Sequence, residues 1–492
     1  MWSLVFFYMF FPIFLYNKKW LWLSNIIKKK RKKIPYKTYT KKRIEKYTDI
    51  DVIIIGGNIS GLITAAALVK SGLRVLVLEK SEYMGGSFRT PERGGYTFDV
   101  DRNVNNLKTT KMIIDWLCEE PIWWLKKEEP IVECKYKGKK MKIMNSLKNT
   151  KDLTKENFNN EAAQNRFWEH VISYSKTNKS IFESLKFYHM PQCIREILQE
   201  FFAAKYVEYN KMTIENLIDS CHFEDNCELP KCLECLYVDK KNSAAELLDY
   251  INRCNGGNFY PKSGINTIIH ELCQTIKTNG SYILTDALVE SVDPKKLIIK
   301  VNGNTIPTPK KIISATSLVD TFRLVGFQPP KIDLKDNKIK ALIALKPNTK
   351  TEKKDKIINK DGTIYKILFA KSDEKPCIVV YTNSKLDISI PENKEKITNQ
   401  MLEVAGLLES LNVEWVHVES EESTKIKNDI NKFVNPCKPT TQFPDFFITG
   451  RDIVHTESLE DAIRSGYITA NAVTNHGTFI DILTCRELIN SV

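Results

Sequence analysis

The chain has 492 residues, and at ~100–200 residues per domain that length accommodates two or three domains with buried cores. Hydrophobic residues make up 42% and charged residues 27%, which excludes wholesale disorder, a collagen-like chain and a polytopic membrane protein. The formal net charge is +13, yet thirteen Lys or Arg against Glu45 and Asp49 put +11 of it into the first fifty residues and leave +2 for the other 442. A nucleic-acid partner, which asks for a basic face on the folded part, is therefore not expected.

Residues 1–16 are apolar and uncharged, followed by Lys18, Lys19, Trp20, Trp22 and a basic run at 28–33. As a helix those residues reach about 24 Å against a hydrocarbon core of ~30 Å, with lysines able to snorkel and tryptophans suited to the interface. The segment reads as an uncleaved membrane anchor (1–27) and a basic linker (28–48). A cleaved signal peptide suits it less, since no positive charge precedes the apolar run and no small-x-small site follows; an interfacial anchor is the third reading. The positive-inside rule then leaves the globular part in the cytosol, with the endoplasmic reticulum as the expected membrane.

From Asp51 the character changes. Val52 to Ile55 is a continuous β-branched run, as expected for a strand buried on both faces of a parallel sheet. Gly56-Gly57-Asn58-Ile59-Ser60-Gly61 follows, then a helix from Leu62 to Lys70 and a second apolar strand from Arg74 to Glu79, which together make one βαβ unit. Residues 116–254 read as mostly helical, with Ala162–Ser175 and Cys193–Tyr206 the clearest stretches. Ile265–Lys277 reads as an amphipathic helix, 281–292 as a strand pair and Lys310–Ser314 as a short strand. Residues 346–362 read as a solvated loop, Phe446–Thr449 as a last strand and 458–475 as a last helix. Twelve cysteines are scattered through a large chain and read as reduced thiols. Of Cys221, Cys227, Cys232 and Cys235, beside His222, only the last two have zinc-ribbon spacing, so no metal is expected.

The glycine loop carries the first chemical signal. In a dinucleotide fingerprint the first glycine makes the turn, the second lets the backbone reach the pyrophosphate, and the third lets helix and strand pack; an acid at the end of the second strand binds a ribose hydroxyl. Gly56, Gly61 and Glu79, 23 residues after Gly56, hold three of these places. Asn58 holds the second-glycine place, where its side chain is expected to point toward the phosphate. Two readings stay open: a nucleotide site, or a Rossmann-like fold that has lost its ligand.

The block Glu79-Lys80-Ser81-Glu82-Tyr83-Met84-Gly85-Gly86-Ser87-Phe88-Arg89-Thr90, followed by Gly94-Gly95-Tyr96-Thr97-Phe98-Asp99, resembles the FAD-dependent amine-oxidase and phytoene-desaturase superfamily. Within it the nearest branch is that of carotenoid isomerases and all-trans-retinol 13,14-reductases. Two later segments are similar in the expected order: Phe259–Gly264 with Ala287–Val292, and Thr449-Gly450-Arg451-Asp452 with Ser458–Gly466.

The resemblance implies an α/β fold: a Rossmann-like, GR2-type FAD-binding domain from 49–115, 255–318 and 440–476, a discontinuous α+β substrate domain from 116–254 and 319–439, and a tail at 477–492. It implies cofactor contacts from Gly56, Gly57, Asn58, Ser60, Gly61, Glu79, Lys80, Gly85, Gly86, Ser87 and Arg89 in the first block. It adds the Val289 backbone, Gly450, Asp452, Asp461 and Ala462 further on. Asp101 stands where the family usually has glycine. The implied activity is that of an FAD-dependent oxidoreductase, with NAD(P)H as a candidate electron donor and an apolar, polyene-like substrate. Glu460-Asp461-Ala462 resembles the amine-oxidase branch, which is one alternative. The other is a cofactor-free escort protein, since Rab escort proteins and GDP-dissociation inhibitors share the architecture and the Tyr-x-Gly-Gly pattern. Flavin chemistry needs no fixed triad, so no catalytic side chain is assigned; His455 reads first as a surface or core histidine, and Trp123 and Trp124 as tunnel lining or core. Oligomeric state is not legible.

Overall fold

A computed structural model describes residues 37–474 apart from 48, 99–103, 105–106, 184–207, 210, 237–242, 256, 307–308, 329–331, 335–336, 348, 350–354, 361–362, 370–374, 385, 422–423, 427–440 and 451–458. Six strands form a wholly parallel sheet. In chain order they are β1 (Lys37–Thr38), β2 (Val52–Ile55), β3 (Val75–Leu78), β4 (Tyr282–Thr285), β5 (Lys311–Ser314) and β6 (Phe446–Ile448), and across the sheet the order is β1-β4-β3-β2-β5-β6. Helices α1 (Ile59–Lys70), α2 (Ile265–Thr278) and α3 (Leu459–Thr474) accompany it, with α3 and α2 both packed on α1.

The strands are short and apolar because both sides are covered. Residues 52–55 and 75–78 are buried without exception. Ile53, Ile55, Leu76 and Leu78 face a core shared with Val289, Val292, Ile299 and Val301 of a small antiparallel sheet, Val289–Asp293, Ile298–Val301 and Asn304–Ile306. The strand pair expected at 281–292 thus divides: Tyr282–Thr285 joins the parallel sheet, and the next strand turns away into the antiparallel one.

A second sheet has seven strands, in the spatial order Val413–Glu421, Asn337–Leu345, Cys377–Ser384, Thr363–Phe369, Asp355–Lys360, Val132–Tyr136, Lys139–Ile143. All neighbours are antiparallel except Asp355–Lys360 beside Val132–Tyr136. One face (Ile339, Ala341, Ile343) packs on Ile397 and Met401 of helix Pro391–Val404; the other (Leu342, Ala344, Leu368, Val379) packs on Tyr96 and Phe98. Two expectations are corrected here. Among the described residues, 116–254 contain three strands, Trp124–Lys126, Val132–Tyr136 and Lys139–Ile143, ahead of their helices, and the stretch read as a loop at 346–362 contains the strand Asp355–Lys360. The stretch 193–206 lies outside the described residues.

The expected membrane-anchored localisation is corrected as well: among the described residues no helix is long and apolar enough to cross a membrane. The apolar run at 1–16 and the basic run at 28–33, on which that expectation stood, lie outside the described residues.

Candidate dinucleotide site

The loops after β2, β3, β5 and β6 gather at the carboxyl ends of the parallel strands. The chain leaves β2 for β3 on one side, while β5 and β6 occupy the other, so the crevice beyond β2 is a topological switch point, where open α/β sheets take ligands. Gly56 makes the turn with φ +103°, a value that favours glycine, and its N–H reaches the Leu78 carbonyl at 2.7 Å. Gly61 opens α1 so close to the loop that a Cβ there would lie 2.5 Å from the Gly56 oxygen and 2.9 Å from the Ala315 Cβ. The third-glycine role is therefore visible as helix against strand.

Glu79 ends β3 nearly buried. Its Oε2 accepts the Gly57 N–H at 2.6 Å, and its Oε1 accepts the Ser81 N–H at 2.9 Å and hydroxyl at 2.8 Å. The carboxylate is thus held at the lip of the crevice by the glycine loop itself. The segment returning after β4 lies alongside: the Glu79 N–H donates to the Leu284 carbonyl, and the Glu79 carbonyl accepts from Ala287 at 2.9 Å. Val289, two residues on, is buried and pairs with Val301.

Asn58 departs from the expectation for its side chain. It is the N-cap of α1, with φ −71°: its Oδ1 accepts the Gly61 N–H at 2.8 Å and its Nδ2 donates to the Ala315 carbonyl. The expected direction toward a phosphate is corrected because both polar atoms of the amide have backbone partners in the protein. Gly85 and Gly86, with φ +110° and +56°, close the other side; the Gly85 N–H donates to the Gly57 carbonyl at 2.7 Å.

The remaining candidates fall as follows. Ser60 is buried in the first turn of α1, and Lys80 and Ser87 are exposed. The Arg89 guanidinium lies 3.5 Å from the centroid of the Tyr83 ring, a cation–π contact that turns it toward Tyr83. Gly450, past β6, has φ +137°, and its N–H donates to the Ser465 hydroxyl of α3 at 2.9 Å. Ala462 is buried on α3, which also carries Asp461. Asp101, Asp452, His455 and Ser458 lie outside the described residues. Trp123 is 62% exposed, and Trp124 begins a strand paired with Phe259–Pro261. Cys221, Cys227, Cys232 and Cys235 are buried free thiols in an apolar core, where desolvation pushes Cys232 and Cys235 up to about 12. No group of three or more metal-ligating side chains is assembled among the described residues.

Three participants escaped sequence reasoning. Met84 lies under Gly57, where an added Cβ would come within 2.2 Å of its sulfur; Ala315 supplies a carbonyl to Asn58; Tyr83 supplies the ring beneath Arg89. Tyr83 and Met84 sit inside the Gly85-Gly86 block, so their proximity was the one available signal. Nothing at Ala315 distinguishes it from any strand-end alanine.

A carboxylate at the end of the second parallel strand, a glycine turn and a helix N-terminus at the switch point form the donor and acceptor set of a dinucleotide site. Fold and crevice define an α/β protein with a Rossmann-like parallel sheet. Residues 54–112 match the family described as NAD(P)-binding Rossmann-like domain. All-trans-retinol 13,14-reductase of Danio rerio is 24% identical over 259 residues, covering 50% of this chain and 42% of that protein. Prolycopene isomerase 2, chloroplastic, of an Oncidium hybrid cultivar is 45% identical over 62 residues, 13% of this chain and 11% of that one. The chain therefore spans less than half the length of these curated relatives. Among solved structures, the cyclohexylamine oxidase of Brevibacterium oxydans superposes with TM-score 0.59 at 13% identity, covering 87% of this chain and 99% of that one, which shows a common fold. These likenesses bear out the resemblance to the FAD-dependent amine-oxidase and carotenoid-isomerase-like superfamily, and the relatives' names are those of enzymes, as the sequence led us to expect.

Proposed function

We propose that this protein is an FAD-dependent oxidoreductase acting on an apolar, polyene-like substrate. The observation that carries the reading is the Glu79 carboxylate, fastened to Gly57 and Ser81 at the mouth of the switch-point crevice. In that position Glu79 accepts a ribose hydroxyl, and the first-turn amides of α1 face the pyrophosphate. Gly85 and Gly86 lie against Gly57 and Asn58 of the same loop, and Gly450 is held to Ser465 of α3. When bound, the flavin supplies hydride chemistry; the protein's part is to hold it and exclude water. The reading assigns 49–115, 255–318 and 440–476 to cofactor binding, and 116–254 with 319–439 to the substrate. The names of the reductase and isomerase relatives support the substrate class.

The test is the visible spectrum of the purified protein, followed by titration with FAD. Flavin bands and saturable binding are expected. A colourless, correctly folded preparation that takes up no FAD would favour the cofactor-free escort reading. Peroxide release with monoamines or polyamines would favour an amine oxidase.

A further inference from the structure

We infer that Asn58 is a positioning residue: a brace across the switch point that holds the loop for the phosphates of the ligand. The inference rests on the dinucleotide reading of the crevice. Asn58 stands where the fingerprint has its second glycine, yet its φ of −71° is open to any residue. The left-handed conformation falls on Gly56 instead, so the turn itself does not call for glycine at 58.

What the side chain adds is two bonds to two different elements. Through Oδ1 it caps α1 at Gly61, and through Nδ2 it reaches the Ala315 carbonyl just beyond β5, 257 residues away in the chain. On its other side the Asn58 backbone bridges Gly85, and Gly86 comes close enough that a Cβ there would lie 2.8 Å from the Asn58 Cβ. One residue thereby ties together the ends of β2 and β5, the first turn of α1 and the Gly85-Gly86 loop. A glycine would provide neither side-chain bond and would add backbone freedom where the amides must be aimed.

The brace also decides which amides remain for a ligand. The Gly57 N–H is taken by Glu79 and the Gly61 N–H by Asn58. Phosphate recognition at the start of α1 then falls to the amide of Ser60, whose aim depends on the cap.

The test compares ligands with and without phosphates. Adenosine, ADP and FAD are titrated into the full chain and into Asn58→Gly, Asn58→Asp and Asn58→Ser at a temperature where all four are folded, and thermal midpoints are recorded without ligand. Wild type is expected to prefer ADP to adenosine. Asn58→Gly should cut that preference about 10-fold, equivalent to about 1.4 kcal/mol, and lower the midpoint. Asn58→Asp and Asn58→Ser, which keep a capping oxygen but lose the donor to Ala315, should fall between. An unchanged preference, or tighter FAD binding by Asn58→Gly, overturns the brace, even where the midpoint drops, because an ordinary helix cap explains a drop alone. Absence of both ADP and FAD binding in wild type overturns the dinucleotide reading itself, which separates the two failures.

Discussion

The crevice and the seven-stranded sheet are built from different materials. Around the switch point the contacts are made by backbone: Gly85 to Gly57, Ala287 to Glu79, Thr449 to Ser314. The two side chains that matter most there, Asn58 and Glu79, are bonded to main-chain groups. A Cβ added at Gly57, Gly61, Gly85 or Gly466 would come within 3 Å of a neighbour. The seven-stranded sheet is instead fastened by side chains that meet across long separations. Lys127 pairs with Asp355, each side chain 10% exposed, and Tyr96 donates to Glu414. A site built of backbone is damaged by adding atoms, and a sheet held by side chains by removing them.

The largest effect should come from deleting an atom group in the sheet. Asp355→Ala leaves the Lys127 ammonium buried without its partner, and removing one member of such a pair costs about 3–5 kcal/mol. Denaturant unfolding measures it, and an unchanged midpoint would show that the sheet does not depend on this pair. In the crevice, Glu79→Ala should weaken FAD binding by about 1.5–3 kcal/mol, the range for a hydrogen bond to a charged group. It also frees the Gly57 amide, while the Ser81 hydroxyl keeps the Tyr83 carbonyl as its acceptor. Equal affinities for the variant and wild type by titration would remove Glu79 from the site.

Adding an atom is the converse experiment. At Gly466 a Cβ would stand 2.5 Å from the Ser60 carbonyl and 2.8 Å from the Ile63 Cβ, where α3 crosses α1. Gly466→Ala should therefore destabilise by about 1–3 kcal/mol through overpacking. A neutral result in thermal melts would mean that the helices separate at no cost and that the close approach of α3 to α1 is not needed.

A further effect, seen only at alkaline pH, is a pH dependence. Burial, and then the Glu414 carboxylate, push the Tyr96 phenol up to about 12 from an ordinary 10.0. Between those values the native protein keeps a proton that the unfolded chain has lost. The contribution is therefore complete below pH 10 and disappears as pH rises toward 12. Unfolding curves for Tyr96→Phe should show a flatter alkaline decline than wild type. Parallel curves would indicate that the phenol titrates normally.

The sequence by itself determined the β2-α1-β3 unit, its glycine turn and Glu79. These features are consecutive, and each type reports its own environment: doubly covered strands must be apolar throughout, and a turn with positive φ selects glycine. The helices Ile265–Thr278 and Leu459–Thr474 were legible for the same reason, as local periodicity. What only the tertiary structure decided depends on partners supplied from far away. Val132–Tyr136 and Asp355–Lys360 read as helix and loop until they are seen side by side, Cys134 opposite Ile357. Each strand has one partner close in sequence, Lys139–Ile143 for the first and Thr363–Phe369 for the second, but the parallel pairing that joins the two hairpins into one sheet links segments more than two hundred residues apart. Asn58 is the same case at a single residue. Its type suggested an obstruction in a phosphate loop, but where its amide points was settled by a carbonyl at Ala315, which the fold brings to it and which no stretch of sequence around residue 58 contains.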